Sequence, residues 1–135
     1  MAYWLMKSEP ASWSWQDQLS VPEEPWNGVR NYQAANNMKA MELGDRAFFY
    51  HSVKEKAVVG IVKISKLYHP DPSDQSGRFG MVSVKAVESL PQPVTLEMIK
   101  QHESLSGMAL LRQSRLSVSP VTEEEWSVIC KMGGL

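Results

Sequence analysis

Residues 45–69 read DRAFFYHSVKEKAVVGIVKISKLYH, two runs rich in β-branched and aromatic residues separated by the charged VKEK. Such runs favour strands, and the polar tip near residues 53–56 joins them as a hairpin. A connection this short makes the neighbours antiparallel, because parallel neighbours need a crossover of about a dozen residues or more. A doubly wound parallel fold is therefore a poor fit. Gly60 inside the second run predicts a bulge or a barrel corner, where a side chain would obstruct close backbone approach.

Breakers and caps organise the flanking segments. YWLMK, Tyr3 to Lys7, predicts a strand that stops near Pro10, and Ser12 is placed to cap a short helix through WSWQDQL. Pro22 and Pro25 hold a loop. Asn31 predicts the N-cap of YQAANNMKAMEL, with Gly44 as the stop after Met41 to Leu43. PDPSDQSG is a loop, RFGMVSVKAVES a strand broken by LPQP, and Thr95 the cap of TLEMIKQH. SRLSVSPV is the last strand candidate, and Thr122 with Glu125 has the spacing of a capping box before a closing helix. Strands with helices inserted between them give an α+β class with a curved or closed sheet. The chain is expected to form one domain over residues 1–135, long enough to bury roughly two-thirds of the surface of its unfolded state.

With 14 Lys and Arg against 15 Asp and Glu, the formal net charge is −1. A protein that holds nucleic acid through bulk positive charge would be basic throughout, so a contact of that kind must come from a local cleft. Cys130 is the single cysteine, which excludes an internal disulfide and suits a reducing compartment; a cytoplasmic location is expected. MAYWLMKSEP has no basic leader or long apolar run and does not read as a signal peptide. No run approaches the ~18 apolar residues of a membrane span. His51, His69 and His102 fall in different elements, so no metal set is expected, and both phosphate-cradling glycine fingerprints are absent, so no cofactor is.

Three polar and aromatic clusters lie at element ends: MKSEP at 6–10, WNGVRNYQ at 26–33 and LLRQSRLSV at 110–118. Together they could build a cleft in which aromatic faces stack a flat ring and Lys7, Arg30, Arg112 and Arg115 donate to oxygen-rich groups. Trp4, Trp13, Trp15 and Trp126 are expected to pack in the core or against helices. Trp26, in a Pro- and Gly-flanked loop, is the candidate wall. His51 and Ser52 suggest nucleophilic chemistry, but adjacent residues of a strand point to opposite faces and no nucleophile elbow is present.

YWLMKSEP, WNGVRNYQAANNMKAMELGDRAFFYHS, VVGIVKI, PVTLEMIK and LLRQSRLSVSPVTEEEW occur in that order from about Tyr3 to Ile129. They resemble the EVE domain family, which belongs to the PUA-like superfamily and is similar to YTH domains. The resemblance implies a PUA-like pseudo-barrel of about five to six mostly antiparallel strands flanked by short helices, with a pocket for modified nucleobases in DNA or RNA. Carried over by motif, that pocket would draw on Lys7 and Ser8 after the first strand and on Trp26, Val29, Arg30, Asn31 and Tyr32. Tyr50, His51 and Ser52 would supply a strand end, with Arg112, Gln113 and Ser114 opposite. Two positions depart from the pattern: Asn27 stands where Asp is frequent and Ala35 where Arg is common. The second departure would weaken attraction to a nucleic acid backbone more than recognition of a base.

The expected function is a monomeric, non-catalytic binding module that reads a modified or flipped base through an aromatic and polar cleft. Stacking would contribute ~1–3 kcal/mol, a methyl substituent in an apolar subpocket on the order of 1 kcal/mol, and an unpaired base would enter at least cost. Lys7, Arg30 and Arg112 are expected to converge and to hold an anionic buffer molecule. Two other classes fit the same residues: a sensor of a small anionic or nucleoside-like ligand, and an enzyme acting on a modified nucleoside with Tyr50, His51 or Glu9 as acid or base.

Overall fold

The computed structural model describes residues 2–135. In chain order its elements are β1 (Tyr3–Ser8), α1 (Trp15–Leu19), β2 (Glu24–Pro25), α2 (Tyr32–Lys39), β3 (Arg46–His51), β4 (Ala57–Pro70), β5 (Gly80–Thr95), α3 (Leu96–Gln101), α4 (Ala109–Arg112), β6 (Val118–Val121) and α5 (Glu123–Met132), with a 3-10 turn at Glu103–Leu105. The strands make one six-stranded sheet in the order β2-β5-β4-β3-β1-β6. Every pairing is antiparallel except β1 with β3, whose connection carries α1, β2 and α2. The two edge strands are not hydrogen-bonded to each other, so the sheet is open rather than closed. Among the described residues no helix is long and apolar enough to cross a membrane.

The central hairpin forms as its sequence predicts, with the connection between His51 and Ala57. Its register slips beside Gly60: Phe49 faces Gly60 while Tyr50 faces Val58, leaving Val59 over. A Cβ on Gly60 would run into the indole ring of Trp15. The glycine therefore gives the α1 tryptophan its place on the sheet. Trp15 is anchored there by its Nε1, which donates to Ser89 Oγ at 2.8 Å.

Both faces of the sheet are covered, and the strand period of two divides the core. Trp4, Met6 and Phe49 enter one apolar cluster with Met38, Val62 and Val82. Leu5 and Phe48 enter the other with Ile61, Ile99 and Trp126. The Trp126 ring lies between Phe48, at 3.9 Å, and Tyr3, at 4.4 Å, both stacked. Asp45 closes the N-terminal end by accepting from Trp4 Nε1, at 3.1 Å, and from the Glu42 amide, at 3.0 Å.

Several local expectations need correction. The cap of α1 is Ser14 rather than Ser12, because Asp17 stands three residues on and completes the reciprocal capping box. Ser12 instead sits in a turn, its amide bonded to the Glu9 carbonyl at 2.9 Å. Asn31 caps α2 as expected, but the helix stops at Lys39, and Gly44 (φ +86°) serves the turn into β3. LPQP does not end its strand. Pro91 and Pro93 need no ladder donor, the Gln92 amide bonds to the Gly133 carbonyl at 3.0 Å, and Val94 returns to register opposite Val58. Thr95 and Thr122 cap α3 and α5 as expected, whereas β2 and α4 have no counterpart in the sequence reading.

Candidate functional site

β1 ends at Lys7 and Ser8, which pair in register with Tyr50 and His51 of β3. The Ser8 carbonyl accepts from the Ser52 amide at 2.9 Å, fixing the strand end to the β3–β4 tip. Ser8 Oγ donates to the Trp13 carbonyl and so anchors the turn that carries that ring. Lys7 is half-buried, its Nζ donates to the Ser114 carbonyl at 2.7 Å, and burial lowers its pKa. One of the three donors of the ammonium is thus already engaged by the protein.

A cavity of about 300 Å³ opens between this strand end, the turn after it and β2, with Lys7, Ser8, Trp13, Glu24, Trp26 and Asn27 in its wall. β2 pairs with β5 through Glu24 opposite Val84 and Pro25 opposite Ser83, and the Trp26 amide continues the ladder to the Val82 carbonyl at 2.7 Å. Trp26 is thus not a free loop residue. It is 8% exposed, meets Phe49 edge-on at 5.6 Å, and serves as core and wall together. Trp13 packs against the core and α1 as expected, its Nε1 donating to Gln18 Oε1 at 3.0 Å, and also joins the same wall. Trp4, Trp15 and Trp126 are core residues.

Two further concavities adjoin. One, of about 330 Å³, has Lys7, Tyr50, Ser52, Lys56, Leu110 and Ser114 in its wall, and burial pushes the Tyr50 phenol up to about 12. The other, of about 370 Å³, brings Asn31 and Gln33 together with Arg112, Gln113, Ser114 and Arg115. Lys7 is common to the first two and Ser114 to the second and third. The sequence candidates therefore divide among three neighbouring hollows rather than lining one.

Four candidates do not line these hollows. His51 occupies the opposite face of β3 from Tyr50, buried edge-on against Phe49, where its Nε2 accepts from the Trp15 amide at 3.0 Å. Burial lowers its pKa, against the opposing effect of Glu55, and its Nδ1 has no partner among the described residues. Val29 is a core residue. Tyr32 is 60% exposed and tilts against Phe79, with ring centroids 4.9 Å apart. Arg30 lies 5.8 Å from the centre of the Phe79 ring and pairs with Asp71 at 3.2 Å, so it does not converge with Lys7 and Arg112. The expected three-cation anion site is not formed.

Asp71 is among the residues that the sequence reading missed. Its fully buried side chain accepts from the Gly28 amide at 2.9 Å, from Arg30 Nη1, and from both the amide and the hydroxyl of Ser73. Burial pushes its carboxyl up, but these donors outweigh that effect and hold it at about 2. The result pins the segment beginning at Gly28 (φ +82°), next to Trp26 and Asn27, onto the loop after β4. The Asx-type spacing of Asp71 and Ser73 in PDPSD was the available signal. Among the described residues no group of three or more His, Cys, Asp or Glu is placed to hold a metal ion.

This architecture is shared with known proteins. A crystal structure of an Agrobacterium tumefaciens protein superposes with a TM-score of 0.96 at 50% identity, covering 100% of this chain and 94% of that one. The human THYN1 protein, solved in complex with 5-methylcytosine-containing DNA, gives 0.93 at 32% identity over 100% of this chain and 99% of that one. Mouse thymocyte nuclear protein 1 is 37% identical over 96% of this chain and 73% of its own length. The mixed α+β architecture, an open six-stranded sheet flanked by short helices, is consistent with a PUA-like fold. The model of the EVE domain matches residues 2–132, and the chain belongs to the EVE domain family.

Proposed function

We propose that this protein is a non-catalytic reader of a modified nucleobase in DNA or RNA, taken unpaired or flipped into the cavity beside Trp26. The observation that carries this reading is the complex of the human THYN1 protein with 5-methylcytosine-containing DNA, a chain 32% identical to this one along its whole length. The site supports it physically. The partly exposed Trp13 ring, beside the buried Trp26, offers stacking surface, which contributes ~1–3 kcal/mol per base, and the exposed Asn27 amide offers a donor and an acceptor for a base edge. Arg112 and Arg115, in the hollow reached through Ser114, are suited to the phosphates on either side of the base.

The test is a titration of oligonucleotides that differ at one base, 5-methylcytosine or cytosine, in single-stranded and duplex form at one salt concentration. Burying the methyl against the Trp13, Pro25 and Trp26 carbons of the wall predicts tighter binding of the modified strand by about five-fold, corresponding to ~1 kcal/mol. Single strands should bind better than duplexes, because the duplex must first be opened. Equal affinity for modified and unmodified strands would overturn the proposal. Binding of free 5-methylcytidine without salt-dependent binding of any strand would instead select a nucleoside sensor.

A further inference from the structure

We infer that Glu24 makes the cavity selective for a cytosine-type base over a thymine- or uracil-type base, by accepting a hydrogen bond from the exocyclic amine. The inference rests on the base-reading role proposed above. Its basis is the placement of Glu24 and Trp26. They lie two residues apart on a segment held to β5 at Glu24, Pro25 and Trp26, so their side chains share a face, and both stand in the wall of the same cavity. A base held in this cavity against the partly exposed Trp13 ring would present its edge to the carboxylate.

The chemistry of that edge then decides. A carboxylate only accepts, so it matches the N4 amine of cytosine and repels the O4 carbonyl of thymine or uracil. Asn27, in the same wall, has an amide that can donate to the cytosine N3. The two side chains together complement the amine and ring nitrogen of one base, the pattern of donor and acceptor that thymine reverses.

Glu24 is also uncommitted. Its neighbour Glu23 accepts from Ser65 Oγ at 2.6 Å, whereas the Glu24 carboxylate has no side-chain hydrogen bond or ion pair among the described residues. Partial burial and the charge of Asp17 raise its pKa. An acceptor so placed gains when a ligand brings it a donor. Of the other charges of the wall, Glu9 adds a second carboxylate, and one donor of the Lys7 ammonium is taken by the Ser114 carbonyl.

5-Methylcytosine and thymine carry the same 5-methyl group and differ at N3 and at position 4, so they isolate the proposed contact. Two otherwise identical single-stranded oligodeoxynucleotides, each with one of these bases at the centre, should bind the wild-type protein with affinities differing by about ten-fold or more, as a hydrogen bond to a charged group implies. In Glu24→Gln, whose amide donates as well as accepts, the ratio should fall toward one, with the thymine strand gaining. A general loss of fold would weaken both strands and leave the ratio, so the thermal midpoint of the variant is measured beside it. The inference is overturned if folded Glu24→Gln keeps the wild-type ratio, or if the wild-type protein binds both strands alike. In that second case base reading survives, whereas binding to neither strand removes both.

Discussion

Asp71→Asn removes the charge that fastens Gly28 and Arg30 to the loop after β4. In the native protein the carboxyl is held at about 2, against an ordinary value of 3.8, a depression of nearly two units. At 1.36 kcal/mol per unit this corresponds to roughly 2 kcal/mol of stability. The sign follows from the depressed folded value: the contribution is complete above the unfolded pKa and disappears as pH falls through the folded one. For a chain of 135 residues, with ~2.1 cal/mol/K of unfolding entropy per residue, the loss lowers the thermal midpoint by on the order of 7 °C near neutral pH. Urea unfolding of both proteins should therefore separate by about 2 kcal/mol at pH 7, and the separation should shrink steadily between about pH 4 and pH 2. A separation that is the same at both ends of that range, or absent at pH 7, would refute the account of Asp71 as a charged clamp.

Gly60→Ala should cost about 1–3 kcal/mol in urea unfolding, because its new methyl group meets the Trp15 ring and the β4 backbone has no freedom to withdraw. Trp26→Ala should lower stability by about 3 kcal/mol or more and also weaken binding, since the ring is 8% exposed; Asn27→Ala, at an exposed position, should weaken binding at an unchanged thermal midpoint. Arg112→Ala should weaken modified and unmodified strands alike and flatten the salt dependence by about one charge, read from affinities at several salt concentrations.

What the sequence disclosed depended on whether the cause was local. Asn31, Thr95 and Thr122 were legible as caps because each side chain satisfies an amide three residues away, and the β3–β4 hairpin because its connection is short. β2 was not legible, since two residues ending in proline become a strand only through the register that β5 offers them. The same limit governed the site. Lys7, Ser8 and Trp26 could be placed at a pocket wall from motif and position, but Glu24 depended on β2 and Trp13 on the bond between Ser8 and its carbonyl. Arg30 was misjudged because its partner is 41 residues away in sequence, and no spacing rule predicts that Asp71 would neutralise it.

The separation of these charges bears on how a chain of net charge −1 could hold a polyanion. A single site lined by Lys7, Arg30 and Arg112 would bind phosphate first and leave the base to find its own contacts. The charges are divided instead. Arg30 is held by Asp71, the cavity beside Trp26 carries Glu9 and Glu24 together with Lys7, whose ammonium is bonded to a carbonyl, and Arg112 and Arg115 stand in a separate hollow beyond Ser114. Under the proposed reading, one nucleotide would present its base to an acidic, aromatic wall and its phosphate to a basic one, so each half of the ligand is disfavoured by the site of the other. That opposition fixes orientation without a strongly basic surface. It follows that inorganic phosphate should be a poor ligand for the cavity, and that a nucleoside, which lacks the group the carboxylates repel, is the better probe of base selectivity.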